Sequence, residues 1–288
     1  MLANDSPLDN ASQRLALGIL AGGGDLPGQV AAAARASGRE VFLVGLEGFA
    51  EPHVLAPYPH EFIRMGAAGR ILTALRAHHC RDLVMIGPVR RPSLLAMRPD
   101  AEGAAMLARV GRAAFAGDDG LLAAVVKVLG EHGFRVLGAH DILTEALAPN
   151  GLLSQAKPDA QAMADIERGI SVVRALGAAD VGQACVVQQG IVLAVEAAEG
   201  TDAMIGRCHD LARDGPAGIL IKLVKPGQDR RADLPTIGRF TILAAAKAGL
   251  RGVVFEAGGT LLVDRAATIA EADAHGIFLL GLDPDQPI

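Results

Sequence analysis

Acidic and basic side chains are concentrated in two segments of the second half of this sequence. The first reads Glu199-Gly200-Thr201-Asp202 and comes shortly after Glu196, which ends a predicted strand. The second runs from Lys225 to Gly238 and follows another predicted strand. Because the carboxyl ends of parallel strands meet at one edge of a sheet, we expect the two segments to converge there. Carboxylates and cations at such an edge suit a divalent metal and a phosphate-bearing substrate.

Candidate metal ligands and candidate phosphate-binding groups occur in both segments. Proteins usually hold Mg²⁺, and similarly Mn²⁺, with one or two carboxylates plus substrate phosphate. The candidate ligands are Asp202, Asp229 and Asp233. The alternative is a charged surface loop, but prolines that stiffen the second segment and its position after a buried strand favour a site. The candidate substrate-binding side chains of this region are Thr201, Lys225, Arg230 and Arg231.

A glycine turn in the first half could approach a ligand phosphate. Gly22-Gly23-Gly24 follows an apolar run and precedes a predicted helix, whose positive end favours an anion. The pattern is neither a full GxGxxG nor a P-loop, and Pro27 removes one backbone donor. The alternative is an ordinary turn in which Asp25 caps the helix. We carry the three glycines as substrate-binding candidates.

Two adjacent arginines follow a second buried strand of the first half. The segment reads Gly87-Pro88-Val89-Arg90-Arg91, and arginine can bind a phosphate or carboxylate with two hydrogen bonds. The alternative is a solvated basic loop. Farther along, the segment 117–120 opens a helix, where an aspartate is more often an N-cap than a ligand. Glu256 precedes two glycines and could belong to a hairpin turn.

Strands and helices alternate around these segments. The alternation favours an α/β fold with two domains, the first Rossmann-like with a parallel sheet and the second mixed, and a ligand cleft between them. We predict strands in the apolar run before Gly22 and at 40–45, 83–86, 134–137, 184–188, 191–196, 219–224, 252–255, 260–263 and 277–280. We predict helices at 25–37, 67–79, 101–115, 119–132, 160–176, after Thr201, and at 237–248 and 266–274. The predicted boundaries are a disordered arm at 1–14, the first domain at 15–148, a linker at 149–160 and a catalytic domain at 161–288.

Composition and charge exclude several classes of function. The 288 residues carry a net charge of −5, no Trp, one Tyr and eight Phe, which argues against binding of nucleic acid. Neither the three cysteines nor the histidines have the spacing of metal ligands, which argues against a zinc site. The odd number of cysteines fits a reducing compartment. The N-terminus has no apolar segment of the kind that signal peptides contain, and no uncharged run reaches 18 apolar residues. We therefore expect a cytoplasmic protein that touches a membrane only from the side.

Six motifs in one order make the pattern specific. They read GILAGGGDLPG, IGPVRRP, GDDGLL, EGTDAMI, KPGQDRRADLPTIG and EAGGTLLVD. Together they resemble the LpxI family, the UDP-2,3-diacylglucosamine pyrophosphatases of lipid A synthesis, from Leu17 to Pro284. The resemblance implies a two-domain, Mg²⁺-dependent enzyme that works at the inner membrane. It would hydrolyse UDP-2,3-diacylglucosamine to UMP and 2,3-diacylglucosamine 1-phosphate, with water attacking the phosphorus nearer the sugar.

The resemblance also suggests catalytic residues. The family's acidic motif falls on residues 231–235, so Asp233 resembles its catalytic carboxylate, and Asp202 is the next candidate. The expected partners are a lipid-linked UDP-sugar and, transiently, the inner membrane surface. The sequence allows a homodimer without specifying one.

Two other functions compete with this one. The strand, glycine turn and helix at the start suggest a nucleotide-binding oxidoreductase. Against it, no acidic residue ends the predicted second strand to hold a ribose, since Gly45-Leu46 stands there and Glu47 comes late. The other competing function is a non-catalytic ligand-binding protein with two α/β lobes.

Overall fold

The computed structural model describes residues 16–90, 97–111 and 118–286. The predicted arm at 1–14, the candidate Arg91 and the end of the predicted helix at 101–115 lie outside these residues. The described chain forms two compact units. One contains the residues up to Leu143 together with Asp229–Asp233, and the other contains Thr144–Gln228 and the chain from Leu234 onward.

The first unit is built on a five-stranded sheet with the order β3-β2-β1-β4-β5, in which every pairing is parallel. This order agrees with the predicted Rossmann-like fold. Its strands are β1 (Leu17–Ala21), β2 (Val41–Leu46), β3 (His60–Ile63), β4 (Asp82–Ile86) and β5 (Arg135–Leu137). Its helices are α1 (Leu26–Ala36), α2 (Pro52–Leu55), α3 (Ala68–Ala77), α4 (Ala101–Val110), α5 (Asp118–Glu131) and α6 (Ala139–Ile142).

Apolar residues explain why these elements form and pack. The central strand β1 is buried along almost its whole length, as parallel strands covered on both faces require. Helix α1 turns Val30, Ala31 and Ala34 inward. The expected cap by Asp25 is wrong, because its side chain makes no capping hydrogen bond and its carboxylate lies 3.9 Å from the His53 ring. Pro27 occupies the first turn instead, where its missing N–H costs nothing.

An ion triad closes the amino edge of this first sheet. The carboxylate of Asp82, at the start of β4, accepts hydrogen bonds from Arg39 at 2.7 Å and from Arg135 at 2.8 Å. Asp82 is only 2% exposed. Burial opposes its ionisation, but the hydrogen bonds from Arg135 and Arg39 outweigh burial and hold the pKa of Asp82 below its usual range. The triad therefore joins the starts of three strand segments.

The second unit is built on a six-stranded mixed sheet with the order β6-β13-β11-β9-β7-β8. Strands β13, β11 and β9 are parallel, whereas the pairings of β6 with β13, of β7 with β9 and of β8 with β7 are antiparallel. Its strands are β6 (Gly151–Leu152), β7 (Ala184–Gln188), β8 (Ile191–Val195), β9 (Ile219–Lys222), β11 (Gly252–Glu256) and β13 (Phe278–Leu282). Its helices are α7 (Ala160–Ala178), α8 (Thr201–Leu211), α9 (Arg239–Lys247) and α10 (Arg265–Ala274).

A small separate sheet corrects one expectation. Strand β12 (Leu261–Leu262) pairs in parallel with β10 (Thr236–Ile237), so it forms no hairpin with β11. Thr236 and Ile237 are therefore strand residues, and α9 begins later than predicted. Glu256 does not lie in a hairpin turn.

The three cysteines Cys80, Cys185 and Cys208 are free and buried. Burial raises the pKa of the Cys80 thiol to about 11 and that of Cys185 to about 12. Within the described part of the chain, no helix combines the length and the apolar character needed to cross a membrane.

Candidate functional site

Two glycine loops meet at the carboxyl edge of the first sheet. They follow β1 and β4, the neighbouring strands at which the strand order reverses, and ligands of open α/β sheets bind at such a point. The N–H of Gly22 donates to Ile86 O at 2.8 Å, and the N–H of Gly23 donates to Pro88 O at 3.0 Å. A Cβ on Gly22 would lie 2.3 Å from Gly87 O. The backbones of the two loops are therefore in direct contact.

This contact gives each glycine its own role. Gly22 and Gly87 allow the loops to approach, and the N–H groups of Gly22 and Gly23 already have acceptors. Gly24 has a φ of +72° and open space beside its Cα. Of the three glycines, Gly24 leaves the most room for a ligand. Arg90 follows the second loop and is exposed.

The turn after β2 lies beside the glycine turn. Its backbone is held by a hydrogen bond from Phe49 N to Leu46 O at 3.0 Å, and Gly48 has a φ of +83°. A Cβ on Gly23 would come within 3.3 Å of Phe49 O. Glu47 is the first residue of the chain after β2 and is exposed. Strand β2 ends one residue later than predicted, so Glu47 follows it directly and does not come late.

The segment Asp229–Asp233 groups with the first unit. Ala232 packs against the apolar core of that unit. The Asp229 carboxylate accepts two hydrogen bonds from the Arg231 side chain, at 2.9 and 2.7 Å, and hydrogen bonding to Arg231 holds the pKa of Asp229 below its usual range. The N–H of Asp233 donates to Asp229 O at 3.3 Å, and the Asp233 side chain is exposed. The two candidate carboxylates thus lie on one short turn.

Strands β8 and β9 run in the same direction through their shared neighbour β7, so their carboxyl ends lie at one edge of the second sheet. At this edge the buried Glu196 accepts a hydrogen bond from the Thr201 hydroxyl at 2.6 Å and another from Gln183 N at 3.1 Å. Thr201 is the first residue of α8. The predicted substrate-binding hydroxyl therefore fastens the start of this helix to the sheet.

Lys225 and Glu199 of the second unit also have protein partners, whereas none is found for Asp202 among the residues that the structure describes. The Lys225 ammonium donates to Asp180 at 2.7 Å, and the N–H of Lys225 donates to the Gln228 side chain at 3.1 Å. Glu199 forms an ion pair with Arg207 at 2.7 Å. Asp202, in the first turn of α8, is exposed.

Glu256 holds the loop that follows β9. Its carboxylate accepts a hydrogen bond from Val224 N at 3.1 Å. This role of Glu256 was not predicted from the sequence, and neither were the partner roles of Asp180 and Gln183. A carboxylate at the end of a buried strand was the available signal for Glu256. No local signal exists for Asp180, because its partner Lys225 lies in a distant part of the sequence.

The acidic side chains of the site show what kind of divalent-metal site these residues could form. Within the described residues, no three His, Cys, Asp or Glu side chains are grouped so as to enclose a metal ion. Asp229 and Asp233 nevertheless supply two carboxylates on one turn, and Mg²⁺ often needs no more from the protein when phosphate and water complete its shell. Asp229 would have to share its oxygens with Arg231. The residues fit an open site of this kind and not a closed cage.

Comparison with known proteins gives matches over both halves of the chain. Residues 16–146 match the model described as the LpxI N-terminal domain, and residues 149–280 match the LpxI C-terminal domain. The chain is also 46% identical over 276 residues to the UDP-2,3-diacylglucosamine pyrophosphatase LpxI of Caulobacter vibrioides. This alignment covers 94% of the chain and 98% of the relative.

Proposed function

The chain belongs to the LpxI family, and on that premise we propose that it is a hydrolase that cleaves the diphosphate of UDP-2,3-diacylglucosamine in lipid A biosynthesis. The products are UMP and 2,3-diacylglucosamine 1-phosphate. The observation that carries this function is the 46% identity over nearly the full length of both proteins.

We assign separate roles in this reaction to Arg90, Gly24 and Asp233. Arg90 supplies a positive charge to the diphosphate, and Gly24 leaves room for its oxygens beside the turn after β1. Asp233 is the carboxylate that we assign to the attacking water. It accepts the water's hydrogen bond and takes its proton, while the new oxygen–phosphorus bond forms at the phosphorus nearer the sugar. The bond to the bridging oxygen breaks, and UMP leaves with the electron pair.

We extend the proposal to a metal requirement. Asp233 and Asp229 are the carboxylates that would hold Mg²⁺ or Mn²⁺, and Asp202 is the further candidate. A bound divalent cation would neutralise charge on the phosphate oxygens. Support comes from the two carboxylates on one turn and from the charge of the substrate.

Release of UMP from purified UDP-2,3-diacylglucosamine tests the function and the metal requirement together. We expect hydrolysis with Mg²⁺, its loss after exhaustive treatment with EDTA, and its return with Mg²⁺ or Mn²⁺. Full activity after EDTA treatment would contradict the metal proposal alone. Lipid binding without UMP release in any of these conditions would favour the non-catalytic ligand-binding protein. A bound nicotinamide spectrum would favour the oxidoreductase.

The position of attack has its own test. Hydrolysis in ¹⁸O-labelled water should place the label in the sugar 1-phosphate and leave UMP unlabelled. Label in UMP would show that water attacks the other phosphorus.

The acyl chains of the substrate lead us to propose a cytoplasmic enzyme in transient contact with the inner membrane surface. Sedimentation with vesicles of anionic phospholipid, with and without substrate in the bilayer, measures this contact. Analytical ultracentrifugation of the same preparation distinguishes a monomer from a homodimer.

A further inference from the structure

Glu47 occupies a particular place in the first sheet. Strand β2 is the neighbour of β1 on the side opposite β4, and Glu47 is the first residue after it. In α/β sheets that bind nucleotides, a turn after the first strand faces the phosphates, and an acidic residue about 20 positions later binds the ribose hydroxyls. Glu47 comes 23 positions after Gly24 in this chain.

The backbone fixes Glu47 beside the glycine turn. Its N–H donates to Ile63 O at 3.1 Å, which continues the pairing of β2 with β3. The hydrogen bonds from Phe49 N and Ala50 N to Leu46 O, both 3.0 Å, then close a tight turn around it. The carbonyl of Phe49 contacts the glycine turn, because a Cβ on Gly23 would lie 3.3 Å from it. The position of Glu47 is thus set by backbone contacts on both sides.

The carboxylate of Glu47 contrasts with three other acidic groups around the first sheet. Asp82, Glu61 and Asp100 each hold a side chain or a backbone N–H of the same unit. Glu47 is exposed, and no side-chain hydrogen bond or ion pair to another described residue is found for it. A carboxylate only accepts hydrogen bonds, and it can accept from two adjacent hydroxyls at once. Its geometry suits the two hydroxyls of a ribose.

We infer that Glu47 binds the ribose hydroxyls of the uridine nucleotide, and that the nucleotide half of the substrate occupies the carboxyl edge of the first sheet. This inference rests on the proposed function, because it locates one end of the substrate of that reaction. Glu47 is then a residue that determines specificity for a ribonucleotide over a deoxyribonucleotide.

Equilibrium binding of the product UMP and of 2′-deoxy-UMP tests the inference without any turnover. The wild-type chain should bind UMP about 10-fold or more tightly than 2′-deoxy-UMP, because a hydrogen bond to a charged acceptor is lost with the hydroxyl. Glu47→Ala should bind both nucleotides alike, and more weakly than the wild type binds 2′-deoxy-UMP, because the variant also loses the hydrogen bond to the 3′-hydroxyl. Glu47→Gln should retain part of the discrimination.

Glu40→Ala is the matched control. Glu40 is exposed and directly precedes β2, so the two glutamates flank the same strand at opposite edges of the sheet. This variant should discriminate as the wild type does. The inference is overturned if the wild type binds both nucleotides equally, if it binds neither, or if Glu47→Ala still discriminates while folded by circular dichroism. Because binding is read without hydrolysis, failure of the proposed reaction is a separate result, seen as absence of UMP release.

Discussion

The two edges of the first sheet use charge in opposite ways. At the amino edge, Asp82 is buried and its carboxylate is bonded to Arg39 and Arg135. At the carboxyl edge, Glu47 and Arg90 are exposed, and two glycine loops pack backbone against backbone. The comparison shows that a charged side chain that is buried with a partner stabilises the fold, whereas an exposed charged side chain is available to a ligand. The second sheet is intermediate, because Glu196 is buried and bonded at its carboxyl edge.

We expect the largest effect on stability from a substitution at the amino edge of the first sheet. Asp82→Ala leaves Arg39, which is 10% exposed, without its carboxylate, so the free energy of unfolding should fall by about 3 kcal/mol or more. Urea denaturation measures the loss. The specific activity of the folded fraction should stay near normal, because the triad lies at the edge opposite the site.

The pH dependence of stability tests the role of the Asp82 carboxylate at the amino edge. The pKa of Asp82 is lowered on folding, so its contribution is complete above the unfolded value of about 3.9 and is lost as pH falls through the folded value. The difference in stability between the wild type and Asp82→Asn should therefore shrink below about pH 4. A difference that stays constant down to the acid transition would contradict the assigned role.

We expect substitution of Asp233 to have a comparably large effect on the reaction and almost no effect on the stability of the fold. Asp233→Ala should lower kcat by about 10²-fold or more, as removal of a charged group from a site does. Its exposed position should keep the stability change within about 0.5 kcal/mol. Melting temperature and kcat are measured on one preparation, with Asp210→Ala, an exposed aspartate of α8, as the control. A retained kcat would transfer the catalytic assignment to Asp202 or Asp229.

Glu196 should give a smaller effect, on the fold. In Glu196→Gln an amide replaces the carboxylate that accepts hydrogen bonds from Thr201 Oγ1 and Gln183 N. The free energy of unfolding should therefore fall by about 1–2 kcal/mol. Thr201→Val removes one donor and should cost less. Urea denaturation of both variants compares them. An unchanged midpoint in Glu196→Gln would mean that the start of α8 does not depend on this carboxylate.

Arg231 should give the smallest stability effect. It is half exposed and pairs with Asp229 on a surface turn, so Arg231→Ala should change the free energy of unfolding by less than about 1 kcal/mol. If Arg231 binds substrate phosphate, KM should rise while kcat changes little. A large loss of stability would instead place this pair with the structural charges of the amino edge.

Much of the first sheet was predictable from local patterns. Apolar runs followed by glycine, such as the one before Gly22 and the one before Gly87, correctly placed β1 and β4 and their loops. Strand β3 was missed because its four residues include the exposed His60 and give no clear apolar run. The end of β2 was predicted one residue too early, because the strand continues through Leu46 and Glu47 then follows it directly.

The candidate site was less predictable because its contacts join distant parts of the chain. The sequence identifies Lys225 as a cation near a strand end but cannot show that Asp180 holds it. It likewise places Glu196 and Thr201 close together without showing that one bonds the other. Patterns of residue type carry information about elements, whereas partner choice depends on how those elements pack.

The buried thiols have a practical consequence for labelling experiments. With a pKa of about 11, Cys80 is almost entirely protonated at neutral pH, and the thiolate is the form that alkylating dyes attack. A cysteine introduced at an exposed position, such as Glu40→Cys, has an ordinary pKa of about 8.5 and would be ionised to a far larger fraction. A single fluorophore or spin label could therefore be attached to such an introduced cysteine without first removing the three buried ones.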